Sequence, residues 1–201
     1  MATSDTAIVN LALQKLGTSE RITSLTQDHP LARSANVCYE MLRDRELRAN
    51  VWGFAKKRAT LAADATAPAF DFGYAFPLPS DYLRLLSPNV SGVWGSSARN
   101  DVDWTIENHQ GSPAIMTNDG DTLKIVYIAR ITDPTQFDAL FDEALACKIA
   151  WHLAEEVTQS NTKKEAAFRE YRLCIGEAKK VNAIEKPPIE PPVDTWISAR
   201  L

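Results

Sequence analysis

Any acid–base, nucleophilic or metal chemistry in this chain would have to come from three histidines, three cysteines and 26 acidic residues. His29, His109 and His152 are far apart, and no Gly-x-Ser-x-Gly elbow accompanies them, so a serine triad has no visible parts. His152 and Glu155 would share one helix face, as some metal sites require, but no further ligands can be assigned. A histidine satisfied at an interface is the plainer reading. Cys147 has no His partner that would make it a nucleophile. Walker and dinucleotide-binding glycine loops are absent. A cell-wall hydrolase would need two carboxylates across a cleft, one kept protonated by an apolar setting. Glu107 near Trp104, or Glu143 near Phe141, could be placed in that role. With 26 acidic residues, such adjacency to an aromatic is expected by chance. The sequence therefore assigns no catalytic, cofactor-binding or metal-ligating residue, and no cofactor.

The elements around these residues belong to an ordinary folded chain. At 201 residues and 45% hydrophobic, it can bury a real core as one domain, or as a domain with a subdomain. A net charge of -4 argues against a dedicated nucleic-acid binder, which would show a basic stripe. It is compatible with a wall past which DNA slides, because acidic groups repel phosphate. Cys38, Cys147 and Cys174 are odd in number and widely spaced, giving neither a disulfide framework nor a zinc pattern. Small core residues in a reducing compartment is the reading they favour. No stretch approaches the roughly 20 apolar residues of a membrane span, and no secretory leader is visible. The chain is thus expected to be made and assembled in the cytoplasm, without a membrane partner.

Ser4 or Asp5 can cap a first helix carrying Ile8, Leu11, Ala12 and Leu16, which Gly17 stops. A second helix begins near Asp28–Pro30, with Leu31, Ala35, Cys38, Leu42 and Ala49 on one face and Val37, Met41 and Trp52 beside them. Arg43, Asp44, Arg45, Glu46 and Arg48 fall on its outer face, as a solvated surface or as charges that pair between subunits. From Lys56 the pattern changes to short runs punctuated by Pro and Gly. Val102–Ile106 and Leu123–Ile128 read as strands, Tyr82–Leu86 and Ala114–Thr117 more weakly so. Asn118–Asp121 makes a tight turn between two of them. Six aromatic residues (Trp52, Phe54, Phe70, Phe72, Tyr74 and Phe76) would cement the helix-to-sheet junction. Val93 and Trp94, in a Gly- and Ser-rich loop, mark a contact for a neighbouring subunit.

Asp133 and Pro134 then open a third helix with two apolar rows, the stripe of a helix buried between partners. A polar break at Gln159–Asn161 precedes a fourth, carrying Ala167, Tyr171, Cys174, Ala178 and Val181. Beyond residue 185 four prolines, Pro187, Pro188, Pro191 and Pro192, forbid a helix and hold the chain extended at about 3 Å per residue. A frayed tail is the ordinary reading of such a segment. Here it also carries Ile189, Val193, Trp196, Ile197 and Leu201, apolar anchors that suit capture by another protein.

The pattern predicts an α+β chain: an antiparallel helical bundle from 1–55 and 131–185, a small β-sandwich or barrel-like subdomain inserted at 56–130, and an extended arm at 186–201. The junction from Trp52-Gly53-Phe54-Ala55 to Arg58, followed by Tyr74 to Arg84 with its Pro79-Ser80-Asp81-Tyr82-Leu83-Arg84 turn, resembles the head-to-tail adaptor family of short-tailed bacteriophages, also called tail tubular protein A. The likeness extends over most of the chain in length and element order. It implies a virion structural protein of the tail or neck, not an enzyme. About a dozen copies would close a ring under the portal protein and present a platform to the tail nozzle. Double-stranded DNA would pass through without sequence-specific binding. The arm from Pro187 to Leu201 would reach along the portal, while Val93, Trp94, Arg43, Arg45 and Glu46 would meet a neighbouring subunit or the nozzle. Another neck or head-completion protein, or a tail-associated peptidoglycan hydrolase, are the alternative readings.

Overall fold

The computed structural model describes residues 4–89, 104–118, 120 and 122–185, and the chain is α+β. Among the described residues four helices, α1 (Asp5–Lys15), α2 (Pro30–Ala49), α3 (Ala139–Thr158) and α4 (Asn161–Ile184), flank six strands in two antiparallel sheets of three. The first sheet has the order β1 (Lys56–Ala62), β6 (Thr122–Ala129), β3 (Tyr82–Asn89); the second has β2 (Tyr74–Pro77), β5 (Ser112–Thr117), β4 (Trp104–His109). The sheets are separate, so the barrel alternative is corrected: β5 and β6 are successive in sequence but pair in different sheets.

Local chemistry sets the helix ends. Ser4 Oγ accepts from the Ala7 amide and caps α1, and Gly17 leaves it at φ +79°, a conformation open to a residue without Cβ. Pro30 begins α2 where no amide donor is required. Asp133 caps only a 3-10 turn, Pro134–Gln136; α3 starts at Ala139 under a second cap, Asp138, whose carboxylate accepts from the Leu140 amide. The expected start of the third helix is therefore five residues too early. Gln159, at φ 49°, breaks α3 from α4, and Ser160 caps the latter.

The tight turn expected at Asn118–Asp121 falls between β5 and β6, which belong to different sheets, and its Asp119 and Asp121 lie outside the described residues. The tight hairpin lies at Gln110–Gly111, between β4 and β5, where both residues have positive φ (50° and 84°) as a two-residue turn requires. β6 sits centrally, with Lys56 to Ala62 of β1 opposite Ile128 to Thr122 on one side and β3 on the other.

α3 is the axis of the helical part, touching α1, α2 and α4. It buries eleven residues from Phe141 to Ala154. One core joins these helices to Leu123, Ile125 and Ile128 of β6 and to Phe76 and Ile115 of the second sheet. Ala75, Ala114 and Met116, on the other face of that sheet, form a small cluster with Phe72.

Two expectations need correction. Val37 (82% exposed), Met41 (56%) and Ala49 lie outside, because α2 turns Ala32, Ala35, Cys38, Tyr39, Leu42, Arg43, Glu46 and Leu47 inward. The aromatic junction is also differently composed. Trp52 and Phe54 meet Phe141 at 5.1 Å each, and Phe137 lies 5.0 Å from Phe141. Phe70 is exposed and takes no part.

Candidate functional site

The last two turns of α2 divide their charges between two sides. Inward-facing Glu46 is 3% exposed, and its Oε1 accepts from Tyr171 Oη of α4 at 2.8 Å. The same oxygen lies 3.4 Å from Lys148 Nζ of α3. Lys148 Nζ sits 4.3 Å from the Tyr171 ring centroid and 4.7 Å from that of Trp151, so the ammonium is held by a carboxylate and two π faces. Burial pulls the Lys148 pKa below its ordinary value, against the opposing pull of Glu46. Burial, reinforced by Glu46, pushes the Tyr171 phenol up. The Glu46 carbonyl accepts from Trp52 Nε1 at 3.0 Å, so one residue ties α2, α3, α4 and the aromatic junction together.

On the outward side an open groove of about 560 Å³ is lined by Asp44, Arg45, Arg48 and Ala49 of α2, Leu83 and Arg84 of β3, and Arg130. Four arginines face one carboxylate there, and that carboxylate is already engaged. Asp44 takes Arg130 Nε at 2.7 Å and Arg43 Nη2 at 2.9 Å. Arg84 donates to the Arg48 and Ala49 carbonyls at 3.4 and 3.5 Å, where cations complement the helix dipole. Arg48 donates to the Leu83 carbonyl of β3, an edge strand. Arg45 is exposed and makes no hydrogen bond or ion pair among the described residues. The groove is a local excess of positive charge on an acidic chain, suited to carboxylate or phosphate oxygens. Its lining residues include no cysteine, serine or histidine.

Beside it, the segments Trp52–Arg58 and Tyr74–Arg84 form one joint. Lys57 Nζ meets Asp81 Oδ2 at 2.8 Å, and Tyr127 Oη donates to Asp81 Oδ1 at 2.9 Å. Burial alone would raise the Asp81 carboxyl, but these two donors hold it below its ordinary 3.8. Burial, with Asp81 as the second cause, pushes the Tyr127 phenol up to about 12.

Of the α2 charges expected at a subunit contact, only Arg45 is exposed. Arg43, at 4%, and Glu46 are inside, which corrects their placement on a solvated face. The helical period puts them in register with Tyr39 and Leu42; Arg43 is held by neighbouring Asp44, whereas Glu46 takes its partners, Lys148 and Tyr171, from distant sequence. Val93 and Trp94, and the arm residues Pro187, Pro188, Ile189, Pro191, Pro192, Val193, Trp196, Ile197 and Leu201, lie outside the described residues. The structure does not bring the histidines into one group: His29 approaches Glu20 at 3.7 Å, His109 Nε2 lies 3.0 Å from the Thr66 carbonyl, and His152 is on the exposed side of α3. Glu155 pairs with Lys164, and Glu143 with Lys15 at 3.2 Å. Glu107 is exposed on β4. Sequence reasoning missed Lys148 and Arg130, and although it named Arg45, Arg48 and Arg84 it did not bring them together in one groove. The signal for the buried pair was present, because Glu46 and Lys148 are opposite charges that each interrupt an apolar helical stripe.

Among the described residues no group of three or more His, Cys, Asp or Glu is placed to hold a metal, and no helix is long and apolar enough to cross a membrane. No family model matches the chain, and no curated protein matches its sequence.

Proposed function

We propose that the chain is a virion structural protein, a head-to-tail adaptor that forms a ring between a portal protein and a tail nozzle. On this reading it extends the DNA channel and stabilises the packaged genome. The observation that carries the reading is the joint at the end of α2. The two segments that resemble the adaptor family lie side by side, linked by Lys57 to Asp81, and Arg84 ties the second of them to the last carbonyls of α2. Such a joint would fix the angle between a helical stave and a β-rich lobe, which a ring subunit requires.

In this reading, residues 1–55 and 131–185 form the helical bundle, 56–130 the inserted sandwich-like lobe, and 186–201 an extended portal-binding arm. The contacts of α3 with the other three helices support the first division, and the position of all six strands between Lys56 and Ala129 supports the second. Arg45, with Arg48, Arg84 and Arg130, replaces Arg43 and Glu46 as the charged surface offered to a neighbour. Ring closure needs a heterologous contact, and charge complementarity sets its register.

The test is removal of residues 186–201. The truncated chain should remain folded by circular dichroism and lose its binding to the portal ring encoded in its own genome. Unchanged binding would show that the arm is not the latch.

A further inference from the structure

α3 and α4 run antiparallel, and they bring two thiols together. Cys147 Sγ and Cys174 Sγ are 3.1 Å apart, although 27 residues separate them in sequence. That is closer than two sulfurs rest in ordinary van der Waals contact, and a disulfide needs a further approach to about 2.05 Å. Cys147 is fully buried, whereas Cys174 is only partly buried. The third thiol, Cys38, lies buried on α2, where its Sγ donates to the Ala35 carbonyl at 3.4 Å. Burial pushes Cys38 up to about 11.

We infer that Cys147 and Cys174 are a site of oxidative modification, closing to a disulfide that staples α3 to α4 when a peroxide reaches Cys174. The peroxide oxygen is transferred to the Cys174 sulfur, giving a sulfenic acid and releasing one water. The Cys147 sulfur then attacks the Cys174 sulfur: the S–S bond forms, the S–O bond breaks, and hydroxide leaves with the Cys147 proton as a second water. Overall two thiols and one peroxide give one disulfide and two waters.

The geometry assigns the roles. Cys174 is the sulfur that the oxidant can reach, and Cys147 the resolving sulfur already in place. Burial, then the neighbouring Cys174 thiol, raises the Cys147 pKa. The ammonium of Lys15, held by Glu143 at 3.2 Å and Glu170 at 2.7 Å, acts in the opposite direction and favours the thiolate needed for the second step. The two helices are already packed, so closure requires little backbone movement. Linking them restrains the unfolded chain more than the native one.

The experiment uses the full chain, reduced and then treated with dilute hydrogen peroxide. Thiols counted after denaturation should fall from 3 to 1, and the intact mass should fall by about 2 Da, the two hydrogens lost on closure. Peptide mapping should join the Cys147 and Cys174 peptides and leave Cys38 free. The oxidised chain should melt at a higher temperature than the reduced chain. The C38S variant should behave like the natural chain, and C174S should give no cross-link. Three surviving thiols, a link that includes Cys38, oxygen adducts without a link, or a lower melting temperature after closure would each overturn the inference.

Discussion

Replacing Lys148 by methionine probes the buried centre of the helical part. The substitution preserves most of the side-chain volume and removes the ammonium 3.4 Å from Glu46 Oε1. Glu46 is then a buried carboxylate with only the Tyr171 hydroxyl to oppose its charge. Removing one member of a buried ion pair costs about 3–5 kcal/mol, because the remaining charge stays desolvated. Lost contact with the Trp151 and Tyr171 rings adds to this. Against a total stability of about 5–15 kcal/mol for a domain, such a loss is severe. Urea unfolding followed by tryptophan fluorescence reads it directly, since Trp151 and Trp52 both border the network. The double variant E46Q/K148M separates charge from packing. An amide at position 46 still accepts from Tyr171 and carries no charge, so most of the loss should be recovered, to within about 1–2 kcal/mol of the natural chain. A single-variant loss below about 1 kcal/mol would refute the claim that the pair is desolvated. So would a double variant as unstable as the sum of its parts.

Three other outcomes follow from the same contacts. Trp52→Ala should cost about 3–5 kcal/mol in urea unfolding, by emptying a fully buried site beside Phe54 and Phe141, whereas exposed Phe70→Ala should stay within about 0.5 kcal/mol. The Asp81 carboxyl is depressed in the folded state, so its contribution is present above its ordinary 3.8 and lost as pH falls through the lower folded value. The stability advantage of the natural chain over Asp81→Asn should therefore be flat near neutrality and shrink under acid, and a constant difference would contradict the linkage. Arg45→Glu should leave the melting temperature unchanged and weaken assembly, with the defect largest at low salt; a loss of folding would show that Arg45 has a structural partner.

Much of the helical part was legible because its signals are local. Ser4, Pro30 and the Gln159–Ser160 break mark helix ends through caps and backbone preferences that involve neighbours only. Asp133–Pro134 misled for the same reason: the local signal is genuine, but it starts a single turn, and Asp138 supplies the cap that α3 uses. Strands β3, β4, β5 and β6 were visible as short apolar or alternating runs, but which sheet each would join was not. Pairing is decided by contacts between distant segments, and β5 and β6 separate although adjacent in sequence. The charge run of α2 gave the largest misreading. Arg43 and Glu46 look solvated until Asp44 is seen to hold one and Lys148, 102 residues later, the other. The arginine groove was hidden likewise, because Arg45, Arg84 and Arg130 come from three separate segments.

The most direct measurement is the mass of the purified chain by light scattering, alone and after mixing with the portal ring from its own genome. The adaptor reading predicts a 22.3 kDa monomer that becomes a discrete ring complex only when the portal is present. A chain that stays monomeric and leaves the portal mass unchanged would contradict it.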